Sequence, residues 1–317
     1  MEFNLASQSV AGQDWTRAQG KRRETVAEAQ DEDVFVDDIM LPANDGYMLA
    51  GTLFLPRGAK NATVLICSAT AVPRKIYRAF ATYLAGRGCV VLTFDYRGIG
   101  GSRPPSLKGF PATISDWATL DIASAVTWLR GRYKGLPLAV VGHSFGGQAI
   151  GLLPNNDMIT KSLLVAAQAG HWAMMTPPEN YRVYAMVKYL GRPATRLFGY
   201  MPGSKLGLGE DVPGGVFMQW TDWVMKPRYY YDDPSLKALA NYAQYKKPVR
   251  ALSFTDDPWA TLPMVELLCS GFTATKPEIV SIEPKQIGTT KIGHFGFFRP
   301  EFRDTLWRDA ADWMTAK

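Results

Sequence analysis

Two short runs of apolar residues begin the regular pattern of the chain. They cover residues 34–36 and 46–56, and the turn-forming segment 43–46 separates them. Alternating apolar residues on both sides of a tight turn are typical of paired strands. We therefore expect an antiparallel hairpin at the edge of a sheet.

Continuous apolar runs then alternate with helical patterns along most of the remaining chain. Helical spacing appears over residues 77–87, 263–269 and 302–314, and in a segment after Ser115 and Asp116, which can cap a helix. Parallel strands buried on both faces show uninterrupted apolar runs of this kind. The pattern predicts an α/β fold with a mostly parallel, doubly wound sheet. Its strands are expected at residues 63–67, 90–94, 138–141, 162–166, 248–254 and 279–282.

The alternation stops between residues 171 and 245, where aromatic residues are frequent and Pro and Gly recur. A structureless loop of this length is improbable inside a compact domain. We expect a helical cap insertion whose aromatic residues mostly form its own core. This divides the chain into a polar leader at residues 1–32, docked loosely or disordered, a core at 33–170 and 246–317, and the cap insertion at 171–245.

Composition and charge narrow the class of protein. The hydrophobic fraction is 47% and the net charge is +6, with the basic residues scattered apart from a run at 21–23. Nucleic-acid binding needs a basic stripe with interleaved aromatics, so a solvated surface is the better interpretation. The three cysteines lack metal-ligand spacing and are expected to be buried thiols of a reducing compartment. No stretch has the length of a membrane span or the pattern of a secretory signal, which favours a cytoplasmic protein.

A candidate nucleophile follows the apolar run 138–141. Gly142, Ser144 and Gly146 form a G-x-S-x-G motif between a predicted strand and a small-residue helix start. A sharp strand-to-helix turn holds such a serine in strained backbone geometry with its hydroxyl accessible. The glycines are expected because any larger side chain would collide across the turn.

A serine nucleophile needs a base, and the base needs an acid to orient it. The chain has three histidines. His294 lies in a glycine-flanked loop after the last strand and is the expected base. His143 lies inside the motif, where adjacent side chains point apart, so we expect a packing or hydrogen-bonding neighbour; His171 is either pocket-lining or structural.

The acid is expected after the strand that ends at Phe254. Asp257 is preferred because Pro258 fits the turn that usually follows such an acid, and Asp256 is the alternative. An oxyanion hole requires two preorganised N–H donors. Phe145 at the helix start should supply one, and the loop 68–73 the other, with Thr70 preferred and Ala71 next.

These residues and their order, Ser144, Asp257, His294, resemble the α/β-hydrolase superfamily, specifically bacterial serine hydrolases related to monoglyceride-lipase and serine-aminopeptidase-like enzymes. The likeness covers nearly everything after the leader and is carried by the segments 67–73, 94–100, 142–147, 255–259 and 293–297. Most relatives carry His-Gly in the oxyanion loop, whereas this chain has Ser68 and Ala69.

The resemblance implies an α/β-hydrolase fold and hydrolysis of an ester, thioester or amide through an acyl-enzyme, with no metal or organic cofactor. The resemblance does not identify the substrate. The apolar insertion favours a small-molecule ester with a hydrophobic acyl or aromatic group, and a carboxylic ester hydrolase is the expected activity. Acyl transfer to an acceptor other than water is the enzymatic alternative. A non-catalytic binding protein of the same fold is disfavoured because all three candidate residues are present.

Overall fold

A computed structural model of the protein describes residues 34–207 and 209–316. The predicted polar leader, residues 1–32, lies outside the described residues. Ten strands are present in the described part of the chain: β1 (Val34–Pro42), β2 (Met48–Pro56), β3 (Ala62–Cys67), β4 (Cys89–Phe94), β5 (Leu138–His143), β6 (Lys161–Val165), β7 (Tyr200–Met201), β8 (Val212–Pro213), β9 (Val249–Phe254) and β10 (Glu278–Ile282).

Eight of these strands form one sheet in the order β1-β2-β4-β3-β5-β6-β9-β10. β1 pairs antiparallel with β2, and β2 antiparallel with β4. Every other pairing in this sheet is parallel. The predicted edge hairpin and the mostly parallel sheet are therefore confirmed. Because β3, β4 and β5 are buried along their whole length, their apolar runs have no polar alternation.

Helices cover the sheet. The α-helices of the described residues are α1 (Arg78–Gly86), α2 (Ile114–Asp116), α3 (Ala123–Arg132), α4 (Phe145–Ala149), α5 (Glu179–Ala185), α6 (Arg192–Phe198), α7 (Gly214–Val224), α8 (Leu262–Cys269), α9 (Gly293–Gly296) and α10 (Arg308–Thr315). Three π-helical segments continue them at Trp117–Ile122, Met186–Gly191 and Arg303–Trp307.

The helix that begins at Ile114 is capped differently from the sequence-based expectation. Thr113 is its N-cap: the Thr113 side chain accepts from the Asp116 amide, and Asp116 in turn accepts from the Thr113 amide. Asp116 is thus the reciprocal member of a capping box and not the cap itself. The assignment of the cap to Ser115 and Asp116 was wrong by two residues, because several neighbouring side chains can accept an amide proton and the chain path chooses among them.

Residues 171–245 interrupt the sheet between β6 and β9. Their described part holds α5, α6, α7 and several 3-10 turns, together with the small antiparallel pair β7–β8, which the sequence pattern did not predict. Several of the aromatic side chains are fully buried in contact with one another, as a core of the insertion requires: Trp223, Tyr229, Tyr230 and Tyr242.

Candidate active site

The candidate nucleophile lies where β5 turns into α4. Ser144 has φ 51° and ψ −116°, a conformation that L-residues rarely adopt, and its amide donates to the carbonyl of Val165 on the adjacent strand at 3.0 Å. Its side chain lies at the carboxyl edge of the sheet, with 8% of the residue exposed. The strained strand-to-helix turn expected from the motif is present.

The two motif glycines are required by close backbone approach. A Cβ on Gly146 would lie 2.2 Å from the carbonyl oxygen of Cys67 on β3, and a Cβ on Gly142 would lie 2.4 Å from the amide nitrogen of Gly147. Neither neighbour is a side-chain end that could move aside. The steric reason given for both glycines from the sequence is confirmed.

The structure brings Asp257 and His294 together. The Nδ1 of His294 lies 2.7 Å from Oδ2 of Asp257. The other oxygen, Oδ1, accepts from the amides of Trp259 at 2.9 Å and Ala260 at 3.1 Å. The buried carboxylate is therefore held by its own turn and oriented towards the imidazole.

Asp256 has a different set of partners. Its carboxylate accepts from the amides of Ile292 at 2.8 Å and Gly293 at 3.0 Å. Asp256 thus anchors the backbone just before His294, whereas Asp257 contacts the imidazole ring. The two candidates that the sequence left open are separated by geometry.

In the described residues, the candidate nucleophile and the candidate base are not hydrogen-bonded to each other. Within residues 34–207 and 209–316, no hydrogen bond connects the Ser144 hydroxyl to the His294 imidazole, and Nε2 of His294 makes none. With Nδ1–H donated to Asp257, the Nε2 lone pair is available to accept a proton. Such contacts often tighten only when substrate binds.

His143 links three parts of the site through a single neutral ring. Its Nε2 lies 2.9 Å from the carbonyl oxygen of His294, which can only accept, so Nε2 carries the proton. Its Nδ1 therefore accepts from the Tyr77 hydroxyl at 2.8 Å, and the Tyr77 oxygen accepts from the amide of Ala69 at 2.9 Å. The expectation that His143 is a hydrogen-bonding neighbour is confirmed.

Burial keeps the side chains of His143 and Tyr77 uncharged. It lowers the pKa of His143 well below its usual value, with the nearby His294 as a second cause, and it raises the pKa of the Tyr77 hydroxyl. Sequence reasoning missed Tyr77. Its partner is 66 positions away, and no local signal points from a helix-start tyrosine to that histidine.

Backbone amides at the expected oxyanion hole are available. Phe145 opens α4, so its amide has no partner within the helix. Within the described ranges, the amides of Thr70 and Ala71 donate no hydrogen bond, whereas that of Ala69 is used by Tyr77. The loop that carries them follows β3, whose Cys67 is paired with Gly142 of β5. The structure therefore leaves both Thr70 and Ala71 as candidates for the second donor.

The insertion contacts the segments that carry the candidate residues. The amide of Thr176 donates to the carbonyl of Pro258 at 2.9 Å, next to Asp257. The hydroxyls of Tyr230 and Tyr242 lie 3.2 and 2.6 Å from the carbonyl oxygen of Gln148 in α4. His171 is bound through Nδ1 to the carbonyl of Val224 at 3.1 Å, which favours the structural alternative.

Comparison with known proteins identifies the family. A model of the alpha/beta hydrolase family matches residues 64–303. The chain belongs to this family. An esterase from Pyrococcus furiosus has a similar structure, with a TM-score of 0.58 and 16% identity over 94% of this chain and 95% of that one. An esterase from Exiguobacterium antarcticum gives 0.56 and 15%, over 88% and 100%. The α/β-hydrolase fold expected from the sequence is confirmed.

Another protein of similar structure was solved with a bound acid. Est1E from Butyrivibrio proteoclasticus, with ferulic acid bound, gives a TM-score of 0.56 at 15% identity over 87% of this chain and 98% of that one. Two Mycobacterium tuberculosis sequences described as uncharacterized are 35% identical over 120 residues, which is 36% of this chain. The match spans 40% of those relatives.

Two further features of the described residues concern the length of the helices and the state of the cysteines. No helix among them is long and apolar enough to cross a membrane. All three cysteines, Cys67, Cys89 and Cys269, are buried free thiols, as expected from the sequence. Burial raises their pKa values, that of Cys89 to about 11 and that of Cys269 to about 12, so they are protonated and unreactive at neutral pH.

Proposed function

We propose that this alpha/beta hydrolase cleaves a carboxylic ester through an acyl-enzyme, with Ser144 as nucleophile, His294 as base and Asp257 as the acid that orients it. The observation that carries the proposal is the 2.7 Å hydrogen bond between Asp257 and His294 at the carboxyl edge of the sheet that presents Ser144. The esterases with a similar structure support this chemistry.

In the proposed reaction the Ser144 oxygen attacks the ester carbonyl while Nε2 of His294 takes the hydroxyl proton. The tetrahedral intermediate collapses, and the alcohol leaves with the proton that His294 returns. Water then attacks the acyl-enzyme, again giving a proton to His294, and the carboxylic acid is released as Ser144 regains its proton. Asp257 keeps the proton of the imidazole on Nδ1 and stabilises the imidazolium formed in each half of the cycle.

The negative charge of the tetrahedral oxygen is assigned to backbone donors. Phe145 and Thr70 are proposed, with Ala71 the alternative to Thr70. The amide of Phe145 lies at the start of α4, and the amide of Ala69, being held by Tyr77, cannot take part without breaking that bond.

The proposed substrate is a small ester with a hydrophobic acyl or aromatic group, and the insertion at 171–245 is proposed to cap the site. Its contacts with Pro258 and Gln148, on both sides of the candidate residues, support this position. The ferulic acid bound to Est1E, an aromatic acid, supports the aromatic class. The buried cysteine thiols support a reducing, cytoplasmic compartment.

The proposal is tested with p-nitrophenyl esters and a fluorophosphonate probe on wild type, Ser144→Ala, His294→Ala and the double variant. Each single substitution should reduce kcat/KM by about 10³-fold or more, and the double variant should be scarcely slower, because the two residues act as one unit. Wild type should be labelled at Ser144, and turnover should survive treatment with a chelator. Multiplicative losses in the double variant, or turnover by Ser144→Ala at the wild-type rate, would refute the assignment.

A further inference from the structure

The helical segment Glu179–Phe198 has one buried and one exposed face. Val183, Val187, Gly191 and Thr195, four residues apart, are buried against the rest of the protein. The outer side exposes large apolar side chains, with Tyr189 at 67% and Leu197 at 78% of the residue surface. We call this side the outer helical face; its exposed apolar residues are Tyr181, Tyr189, Leu190, Leu197 and Phe198.

The charges on this face have one sign. Arg182, Lys188 and Arg196 are exposed among the apolar residues, and Glu179, whose side chain is mostly covered and paired with Arg182, is the only acidic residue of the segment. From residue 171 to 207 the sequence holds five basic residues and one acidic one. Arg192, a further basic residue of the segment, is paired with Asp222 of α7, whereas Lys188 and Arg196 border the exposed apolar surface without such a partner among the described residues.

Two of the basic residues are placed over exposed aromatic rings. The Lys188 ammonium lies 5.6 Å from the ring centre of Tyr189 and donates to the Tyr184 hydroxyl at 2.8 Å. The Lys205 ammonium lies 5.2 Å from the ring centre of Phe198. The apolar stems of lysine extend along apolar surface while the charged end reaches polar groups beyond it.

We propose that the outer helical face binds the surface of an anionic lipid bilayer. Helices that lie in the membrane interface combine exposed apolar and aromatic side chains with lysine and arginine, and anionic headgroups add to the apolar contribution. Tyrosine rings suit the headgroup level, where one end is apolar and the other polar. Leu197 and Leu190 enter the acyl boundary, and Lys188 and Arg196 reach the phosphates.

Charge argues against a second copy of the chain as the occupant. A two-fold contact through this face would bring Lys188 and Arg196 of each copy towards the same residues of the other, and among the described residues neither of them has an acidic partner. An anionic bilayer supplies the opposite charge over the whole area. The proposal concerns a surface outside the candidate active site and does not depend on the proposed hydrolysis.

The test uses an environment-sensitive fluorophore on an introduced cysteine in the full chain. Because the three native cysteines are buried, Leu197→Cys offers the reactive thiol among the described residues. Phe35→Cys is the matched control: Phe35 is 58% exposed on edge strand β1, and the Arg57 guanidinium lies 5.0 Å from its ring centre. Labelled proteins are mixed with phosphatidylcholine vesicles with and without roughly one third phosphatidylglycerol.

The label at position 197 should emit as in water without vesicles and shift to the blue with phosphatidylglycerol vesicles, less so at high salt. The label at position 35 should not shift. Lys188→Glu combined with Arg196→Glu should weaken vesicle binding about tenfold or more, whereas Arg57→Glu should leave it unchanged.

Three results would overturn the proposal. One is an equal shift at positions 35 and 197, and another is an equal shift with neutral and anionic vesicles. The third is blue emission at position 197 without vesicles, which would show that another part of the chain or a second copy covers the face. Unchanged thermal unfolding of each variant establishes that these exposed substitutions leave the fold intact.

Discussion

The neighbouring carboxylates at positions 256 and 257 have different hydrogen-bond partners. Asp257 contacts the His294 ring, and Asp256 binds the backbone that leads to it. A carboxylate that contacts the ring of the proposed base would contribute to each proton transfer. One that fixes the loop contributes only through the position of that base.

Asp257→Asn should therefore lower kcat far more than Asp256→Asn, though less than Ser144→Ala, since an amide cannot stabilise the imidazolium and favours the wrong tautomer. Steady-state kinetics of the three variants on one p-nitrophenyl ester measures this order. Both substitutions keep the size of the side chain, so each serves as the control for the other. If Asp256→Asn is the slower of the two, Asp256 is the acid.

His143 makes stability depend on pH. Because burial lowers its pKa in the folded state well below the value of about 6.5 in the unfolded chain, the unfolded state binds one more proton as pH falls through that value. The contribution of neutral His143 is complete above about pH 6.5 and is lost as pH falls below it, by up to about 1.4 kcal/mol per pH unit.

The free energy of unfolding of wild type should therefore fall more steeply than that of His143→Gln as the pH is lowered from 8 to about 5. Denaturant titrations at several pH values measure the difference between the two proteins, in which contributions from other titrating groups cancel. The loss of contacts in His143→Gln lowers the free energy of unfolding equally at every pH. The change of this free energy with pH therefore reports the titration of His143 alone. Parallel curves would contradict a buried neutral imidazole.

The elbow formed by β5 and α4 depends on glycines that no other residue can replace. α4 approaches the adjacent strand β3 so closely that the carbonyl of Cys67 occupies the place of a side chain at Gly146. Backbone contact therefore determines the shape of the elbow. A substitution at Gly146 should lower stability and activity far more than a substitution at a glycine with open space around it.

Gly146→Ala should destabilise the protein or displace the elbow, with a loss of kcat/KM and of fluorophosphonate labelling. Gly131→Ala is the matched control, since Gly131 lies in α3 and a Cβ added there would meet nothing within 4 Å. It should stabilise by about 0.5–1 kcal/mol through helix propensity. Thermal unfolding and labelling of both variants test this; equal effects of the two substitutions would contradict the steric account.

At the scale of the whole molecule, the insertion and the core form one packed unit. Tyr230 and Tyr242 are fully buried in the insertion, and their hydroxyls lie against the Gln148 carbonyl next to the candidate nucleophile. Removal of the insertion would therefore disturb α4 itself. Its proposed role in substrate selection is better measured on the intact protein.

If the insertion encloses an acyl chain, kcat/KM should rise about fourfold per methylene over short acyl esters, since each buried methylene contributes roughly 0.8 kcal/mol. It should fall once the enclosed space is full. A series of p-nitrophenyl esters of graded acyl length measures the profile, and the Ser144→Ala protein gives the background. A flat profile would show that the insertion does not select by acyl length, and its aromatics would then serve only as its core.

The sequence by itself determined the features that depend on local pattern. Uninterrupted apolar runs predicted the parallel strands, because strands buried on both faces tolerate no polar alternation. The spacing of Gly142, Ser144 and Gly146 predicted the elbow, because few other residues fit so tight a turn. The chain has three histidines, and the glycine-flanked position of His294 after the last strand made it the predicted base.

Only the tertiary structure decided which partners meet across long separations. Asp256 and Asp257 are adjacent in one turn, and the loop around His294 determines which carboxylate faces the ring. The bonds from Ala69 through Tyr77 and His143 to the His294 carbonyl join four segments that have no common sequence signal. Such contacts depend on the packing of whole elements, because side-chain direction and distance are set by the fold and not by neighbours along the chain.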